Sequence, residues 1–116
     1  MKRFEKNQFP VTEEKHEKKR LILAIDIDGV ICKEGDWGTI GAIQREPIQK
    51  NIDKINKLFD DGNYIVLYSA RLEEDRAVTE MYMKIHKVKY NVLVLNKLVF
   101  DMYIDTKDKI MSIDDL

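Results

Sequence analysis

The sequence predicts a single α/β domain built on a parallel, doubly wound sheet. Three short apolar runs, at residues 21–25, 64–68 and 92–95, are typical of strands buried on both faces. Between these runs lie stretches whose apolar residues recur at helical spacing. Strands that alternate with helices in this way indicate a parallel sheet with helical crossovers. A length of 116 residues fits one such domain.

The first half of the domain contains one strand, one loop and one helix. The strand at residues 21–25 leads into a sharp turn, which Gly29 permits. Residues 30–46 contain three glycines and are predicted to form a long loop or a small hairpin. A helix is expected over residues 46–60, because Pro47 suits a first helical turn and apolar residues follow at helical spacing.

The second half continues the alternation. A second strand is predicted at residues 64–68, and acidic residues then favour the start of a helix that runs from about 73 to 86. The third strand covers residues 92–95. Residues 102–104 are predicted to form a short fourth strand, and residues 107–116 a short terminal helix or turn.

Composition and charge limit the classes of function. Residues 1–20 carry eleven charged side chains and little apolar periodicity, so they are interpreted as a charged tail or an accessory helix beside a domain at residues 21–116. A net charge of −1 gives no support to nucleic-acid or membrane binding. No apolar run is long enough to span a bilayer. Cys32 is the single cysteine, which rules out a disulfide within the chain and suits the cytoplasm.

Polar side chains suited to phosphate chemistry follow every predicted strand. In open α/β sheets, ligands bind outside the carboxyl ends of the strands, so these side chains are expected to converge on one edge. The set comprises Asp26 and Asp28 after the first strand, Ser69 and Arg71 after the second, Lys97 after the third and Asp105 after the fourth.

These residue types match the requirements of phosphate-ester hydrolysis. A carboxylate can attack phosphorus and form an aspartyl-phosphate, which divides one slow reaction into two faster ones. A second carboxyl group can protonate the leaving oxygen and later deprotonate the attacking water. A hydroxyl and an ammonium group can hold the phosphoryl group, and Mg²⁺ can offset its charge while bound by oxygen ligands.

The order of these residues resembles the haloacid dehalogenase (HAD) superfamily of phosphatases. Residues 26–30, Asp-Ile-Asp-Gly-Val, match the DxDG[TV] motif that follows the first strand in that superfamily. Ser69, Lys97 and Asp105 match its second, third and fourth motifs in order. The resemblance covers residues 21–116 and implies a Rossmann-like, HAD-like fold.

The resemblance also implies a role for each residue. Asp26 is expected to be the nucleophile and Asp28 the general acid and base. Magnesium (Mg²⁺) is expected to bind Asp26, the main-chain carbonyl of Asp28, and Asp105. Ser69 and Lys97 are then expected to bind the phosphoryl group, and Arg71 to bind substrate or orient its loop.

A closer resemblance is to small members without a cap domain, described as capsule or polysaccharide biosynthesis phosphatases. Their Ser-x-Arg sequence resembles residues 69–71, and their Asp-x-Tyr-Ile-Asp-Asp sequence resembles residues 101–106. The stretches at 29–63 and 72–96 are too short for a full cap domain. The substrate is therefore expected to be a sugar phosphate or a glycan precursor, bound in an open site or one closed by a neighbouring subunit of a homo-oligomer.

Departures from the family pattern leave alternatives open. Thr106 stands where relatives usually have a second acid, and Asn96 and Leu98 flank Lys97 where many relatives have Gly and Pro. A catalytically weak relative that binds a phosphorylated ligand or a protein partner is the main alternative. A phospho-accepting receiver domain is disfavoured, because its acceptor aspartate ends the third strand. Two further roles stay open, a metal contact from Asp108 and stacking on a sugar or base by Trp37.

Overall fold

The computed structural model describes residues 20–35, 39–106 and 110–116, and within them it shows a three-stranded parallel sheet flanked by helices. The strands lie in the order of the sequence, so β2 is central. This arrangement confirms the prediction of an α/β, Rossmann-like parallel sheet. The strands are β1 (Ile22–Ile25), β2 (Tyr64–Tyr68) and β3 (Val92–Val94), and the helices are α1 (Thr39–Gln44), α2 (Gln49–Asp60) and α3 (Arg76–Ile85).

The core forms on one face of this sheet. The strand register pairs Ile25 with Leu67 and Leu67 with Leu93, and because paired residues of parallel strands share a face, all three point to the same side. All three are buried, and the apolar sides of α2 and α3 pack against them through Ile52, Ile55, Tyr82 and Met83.

The opposite face of the sheet is less well covered. Ile22, Ala24 and Val94 are exposed there, and Val66 is half-buried. A doubly wound sheet requires a helical layer on each face, and the described residues provide one layer. Consecutive strands in the order β1-β2-β3, joined by right-handed crossovers, bring both connecting helices to one face.

The segment between β1 and α2 is more structured than a loop. Lys33 N–H donates to the Glu46 carbonyl at 2.9 Å, and Ile48 N–H donates to the Ile31 carbonyl at 2.8 Å. These contacts form the short antiparallel base of a hairpin-like excursion that contains α1, a helix the sequence did not predict. Pro47 belongs to this base through a bridge with Cys32, so α2 begins at Gln49 and not at residue 46.

The predicted fourth strand is wrong. Residues 102–104 have no regular structure and are exposed, with Ile104 85% accessible. Asn96 adopts a φ of 60° and turns the chain away after β3, and a run of three apolar residues is too short to specify strand pairing. At the C-terminus, a 3-10 turn at Ile113–Asp115 agrees with the short terminal helix or turn predicted at residues 107–116.

Two sequence predictions concern residues that lie largely outside the described part of the chain. The charged segment 1–20 lies outside the described residues, except for Arg20, and so do residues 107–109. Among the described helices, none has the length and apolar character needed to cross a membrane.

Candidate active site

A tight turn after β1 places the two aspartates of the DxDG sequence in different surroundings. Ile27 and Ile31 are fully buried, and Ile31 N–H donates to the Ile27 carbonyl at 2.8 Å. Gly29 has a φ of 89°, a conformation in which a residue with a Cβ would be strained. With the turn anchored in the core, the side chain of Asp26 is left 43% exposed and that of Asp28 only 16% exposed.

Asp26 lies beside Lys97, as expected for a phosphoryl-transfer site. The Lys97 Nζ is 3.4 Å from Asp26 Oδ1, which also accepts a 2.8 Å hydrogen bond from the Ile27 amide. Lys97 also lies over the Tyr68 ring, 5.4 Å from its centroid. Asp26 therefore combines an accessible carboxylate with a neighbouring positive charge.

Ser69 joins the ends of β2 and β3. Its amide donates to the Val94 carbonyl at 3.0 Å, and its carbonyl accepts from the Lys97 amide at 2.9 Å. Its Oγ accepts a 3.1 Å hydrogen bond from the Arg71 amide, which leaves the hydroxyl hydrogen available to donate. Ser69 is 1% exposed, and its contact with Lys97 runs through main-chain atoms, so phosphoryl binding by its hydroxyl stays a prediction.

Asp28 is held by two buried arginines. Arg71 donates from Nε to Oδ2 at 3.1 Å and from Nη2 to Oδ1 at 2.8 Å, and Arg45 Nη1 also contacts Oδ1. Burial raises the pKa of Asp28, but the hydrogen bond and charge of Arg71 and the charge of Arg45 outweigh it and lower that pKa below its ordinary value. Asp28 is therefore an ionised carboxylate in this conformation.

Arg71 lies inside the protein rather than at the entrance of the site. Its side chain is 2% exposed, and its Nη1 donates to the buried Thr79 Oγ1 at 3.0 Å. The buried thiol of Cys32 lies 3.7 Å from Nη2. Burial, followed by the charge of Asp28, raises the pKa of this thiol to about 11. In this arrangement the guanidinium of Arg71 is engaged by Asp28 and Thr79, so direct substrate binding would require it to leave both.

Arg45 is the site residue that the sequence analysis missed. It follows α1 by one residue, and its side chain, 4% exposed, reaches Asp28 from 17 positions along the chain. Arginine is used sparingly here, since only five of the 20 Lys and Arg residues are Arg. Because arginine suits buried ion pairs better than lysine, the choice of Arg at position 45 was a usable signal.

The predicted metal ligands are gathered only in part. Asp26 offers an accessible carboxylate, but Asp105 is exposed and accepts hydrogen bonds from the Tyr103 hydroxyl at 2.7 Å and the Thr106 amide at 2.5 Å. Among the described residues, no group of three His, Cys, Asp or Glu side chains could hold a metal ion. The donor types of the predicted set, two carboxylates and a main-chain carbonyl, suit Mg²⁺, which prefers oxygen ligands. Trp37 and Asp108 lie outside the described residues.

Comparison with known proteins places the fold but not the activity. No protein-family model matches this chain, and no curated protein matches it. The crystal structure of an MCSG target from Vibrio cholerae is similar, with a TM-score of 0.61 and 18% sequence identity over 74% of this chain and 79% of that one. At this identity the similarity bears on the fold alone, and it supports the α/β arrangement.

Proposed function

We propose that this protein is a phosphomonoester hydrolase of HAD type that acts through an aspartyl-phosphate on Asp26. The observation that carries the proposal is the exposed Asp26 carboxylate at the end of β1, 3.4 Å from the Lys97 ammonium and two residues from the buried Asp28. An accessible carboxylate supplies the nucleophile, and the ammonium favours an approaching phosphoryl group. The HAD-like order of Asp26, Asp28, Ser69 and Lys97 adds independent support.

In the first step, a carboxylate oxygen of Asp26 attacks phosphorus. The bond between phosphorus and the ester oxygen breaks with its electron pair, and the leaving oxygen takes a proton from Asp28. Because Asp28 is ionised in the free protein, it first takes this proton from the monoanionic form of the phosphate ester. Lys97 and the hydroxyl of Ser69 balance the negative charge on the phosphoryl oxygens.

In the second step, a water molecule attacks the phosphorus of the aspartyl-phosphate. The carboxylate of Asp28 takes the proton of that water, and the bond between phosphorus and Asp26 breaks. Inorganic phosphate leaves, Asp26 is regenerated and Asp28 is protonated again. The ionised form of Asp28, favoured by Arg45 and Arg71, is the form that this step needs.

Magnesium remains part of the proposal. When bound, Mg²⁺ would offset charge on the phosphate, and its ligands would be Asp26, the Asp28 carbonyl and Asp105. In the described conformation the carboxylate of Asp105 accepts hydrogen bonds from Tyr103 and Thr106, so binding of Mg²⁺ would compete with these bonds.

The substrate we propose is a small sugar phosphate or a glycan precursor, met in the cytoplasm. This choice rests on the resemblance to capsule-type phosphatases. The exposure of Asp26 is compatible with an open site. In a homo-oligomer, a second copy of the chain would close such a site.

The test is phosphate release from p-nitrophenyl phosphate and from a panel of sugar phosphates. We expect turnover by wild type with Mg²⁺, its loss with chelator, and its loss in Asp26→Asn. Asp53→Asn is the matched control, because Asp53 is exposed on α2 and contacts Gln49, and it should retain wild-type turnover. Folded wild type without turnover above the Asp26→Asn background would exclude the hydrolase.

A second candidate is a protein that binds a phosphorylated ligand without hydrolysing it. The observation that favours it is the setting of Asp105, which is exposed and accepts hydrogen bonds from Tyr103 and Thr106. Calorimetric titration with glucose 6-phosphate separates the two candidates. Binding that depends on Lys97, with no phosphate release, would favour the binding protein.

A further inference from the structure

Among the described residues, groups from different parts of the chain hold Arg45 in place. Its main-chain carbonyl accepts a 2.7 Å hydrogen bond from the buried Tyr82 hydroxyl on α3. Its Nη2 donates to the Gly35 carbonyl at 3.0 Å, and its Nη1 pairs with Asp28. Arg45 is therefore held at both its main chain and its guanidinium, inside the protein.

The contacts on the two oxygens of Asp28 are unequal. Oδ1 is approached by Arg45 Nη1, Arg71 Nη2 and, at 3.6 Å, the Cys32 thiol. Oδ2 accepts from Arg71 Nε at 3.1 Å. A carboxylate oxygen has about two acceptor sites. Oδ1 is therefore filled, and among the described residues Oδ2 is the oxygen with acceptor capacity left.

We propose that Arg45 is a positioning residue of the hydrolase: together with Arg71 it occupies Oδ1 of Asp28 and leaves Oδ2 as the oxygen that exchanges a proton with the ester oxygen and the water. The inference rests on the proposed function. Arg71 alone donates to both oxygens of Asp28, so it fixes the plane of the carboxylate but does not make the two oxygens strongly different. Arg45 makes the difference, because it contacts Oδ1 only.

This role predicts an effect that depends on the leaving group. A nitrophenolate leaves readily without a proton, whereas phenolate needs one, so proton transfer from Asp28 matters more for phenyl phosphate. Arg45 does not contact the Asp26–Lys97 pair through any described bond, and substrate affinity should not depend on it. The loss should therefore appear in kcat and be larger for phenyl phosphate.

The experiment compares Arg45→Met, Arg45→Lys and the control Arg76→Met on both aryl phosphates. Arg76 is a half-buried arginine paired with Glu73, and its replacement should leave both kcat values unchanged. Arg45→Met should lower kcat on phenyl phosphate by about 10- to 100-fold and on p-nitrophenyl phosphate by much less, with KM changed less than about threefold. Arg45→Lys should restore part of the loss, since lysine keeps the charge but loses the bond to Gly35.

The outcomes separate this inference from the proposed function. Suppose that the wild type is active. The role of Arg45 is then overturned if Arg45→Met keeps its kcat, if its kcat falls equally on both substrates, or if KM alone changes. Each of these outcomes leaves the proposed hydrolase activity intact. Wild type without turnover dependent on Asp26 overturns both. If Arg45→Met does not fold, Arg45→Lys decides by the same criterion: a selective kcat loss on phenyl phosphate supports the role, and its absence overturns it.

Discussion

Replacement of Asp28 by asparagine should destabilise the fold far more than the same change at Asp26. Asparagine keeps the shape of the side chain and removes its charge, so the comparison isolates that charge. At Asp28 the change leaves two guanidinium groups, 2% and 4% exposed, without the carboxylate with which both now pair. At Asp26 it removes one half-exposed partner of Lys97.

The expected difference follows from burial. Loss of one partner from a buried ion pair costs about 3–5 kcal/mol, because the remaining charge stays desolvated. An exposed pair is worth about 0–1 kcal/mol. For a domain of this size, 1 kcal/mol shifts the Tm by about 4 °C. Asp28→Asn should therefore lower the Tm by about 12–20 °C, and Asp26→Asn by about 4 °C at most.

The assay is urea unfolding followed by far-ultraviolet circular dichroism, with the Tm from calorimetry as a second readout. A pH series adds a check on the cause. Because the folded pKa of Asp28 is lowered, its contribution is complete above the ordinary value of 3.8 and is lost as the pH falls through the folded pKa. The difference in the free energy of unfolding between wild type and Asp28→Asn should be constant near neutral pH and become smaller in acid. Equal stabilities of Asp26→Asn and Asp28→Asn would refute the reasoning.

Three further predictions concern neighbouring groups. Lys97→Met should lower kcat/KM by about 100-fold in a phosphate-release assay. Its free energy of unfolding should change by less than about 1 kcal/mol, because the ion pair of Lys97 is partly exposed. Unchanged kinetics would show that Lys97 is not part of the site. Tyr82→Phe should cost about 1–2 kcal/mol in urea unfolding, because the buried Arg45 carbonyl loses its donor, and a neutral result would contradict that bond. The pKa of the Cys32 thiol is raised from 9.0 to about 11, which corresponds to about 2–3 kcal/mol of stability. This contribution should be complete below pH 9.0 and be lost as the pH rises through 11. Cys32→Ala should remove this dependence of the unfolding free energy on pH.

The sheet was predictable because its strands carry a strong local signal. The apolar runs at 64–68 and 92–95 match β2 and β3 within one residue, and the run at 21–25 matches β1. Residues at helical spacing likewise predicted α2, where Ile52 and Ile55 of the pattern lie in the core, so local and tertiary requirements agree. The pattern also predicted α3, but there Tyr82 is buried while Met81 and Ile85 are 52% and 55% exposed.

The missed parts depend on contacts between distant residues. Pro47 has the local chemistry of a helix start, but its pairing with Cys32 delays α2 until Gln49. The run at 102–104 has strand-like composition, yet strand formation needs a partner edge that the sequence does not specify. The ion pair between Arg45 and Asp28 spans 17 positions and follows no helical or strand period, so periodicity did not reveal it, although the use of Arg at position 45 indicated a buried ion pair.

The two aspartates after β1 show why burial, rather than residue type, separates the proposed roles. A nucleophile must present an accessible oxygen to phosphorus, and Asp26 does so with one lysine beside it. Asp28 cannot serve as the nucleophile in this conformation, because Arg45 and Arg71 occupy Oδ1 and fix the plane of its carboxylate. What remains open to it is proton exchange at Oδ2, which needs a fixed oxygen and no attack on phosphorus. Two carboxylates two residues apart thus have opposite surroundings, a difference that supports the proposed roles of Asp26 as nucleophile and Asp28 as acid and base.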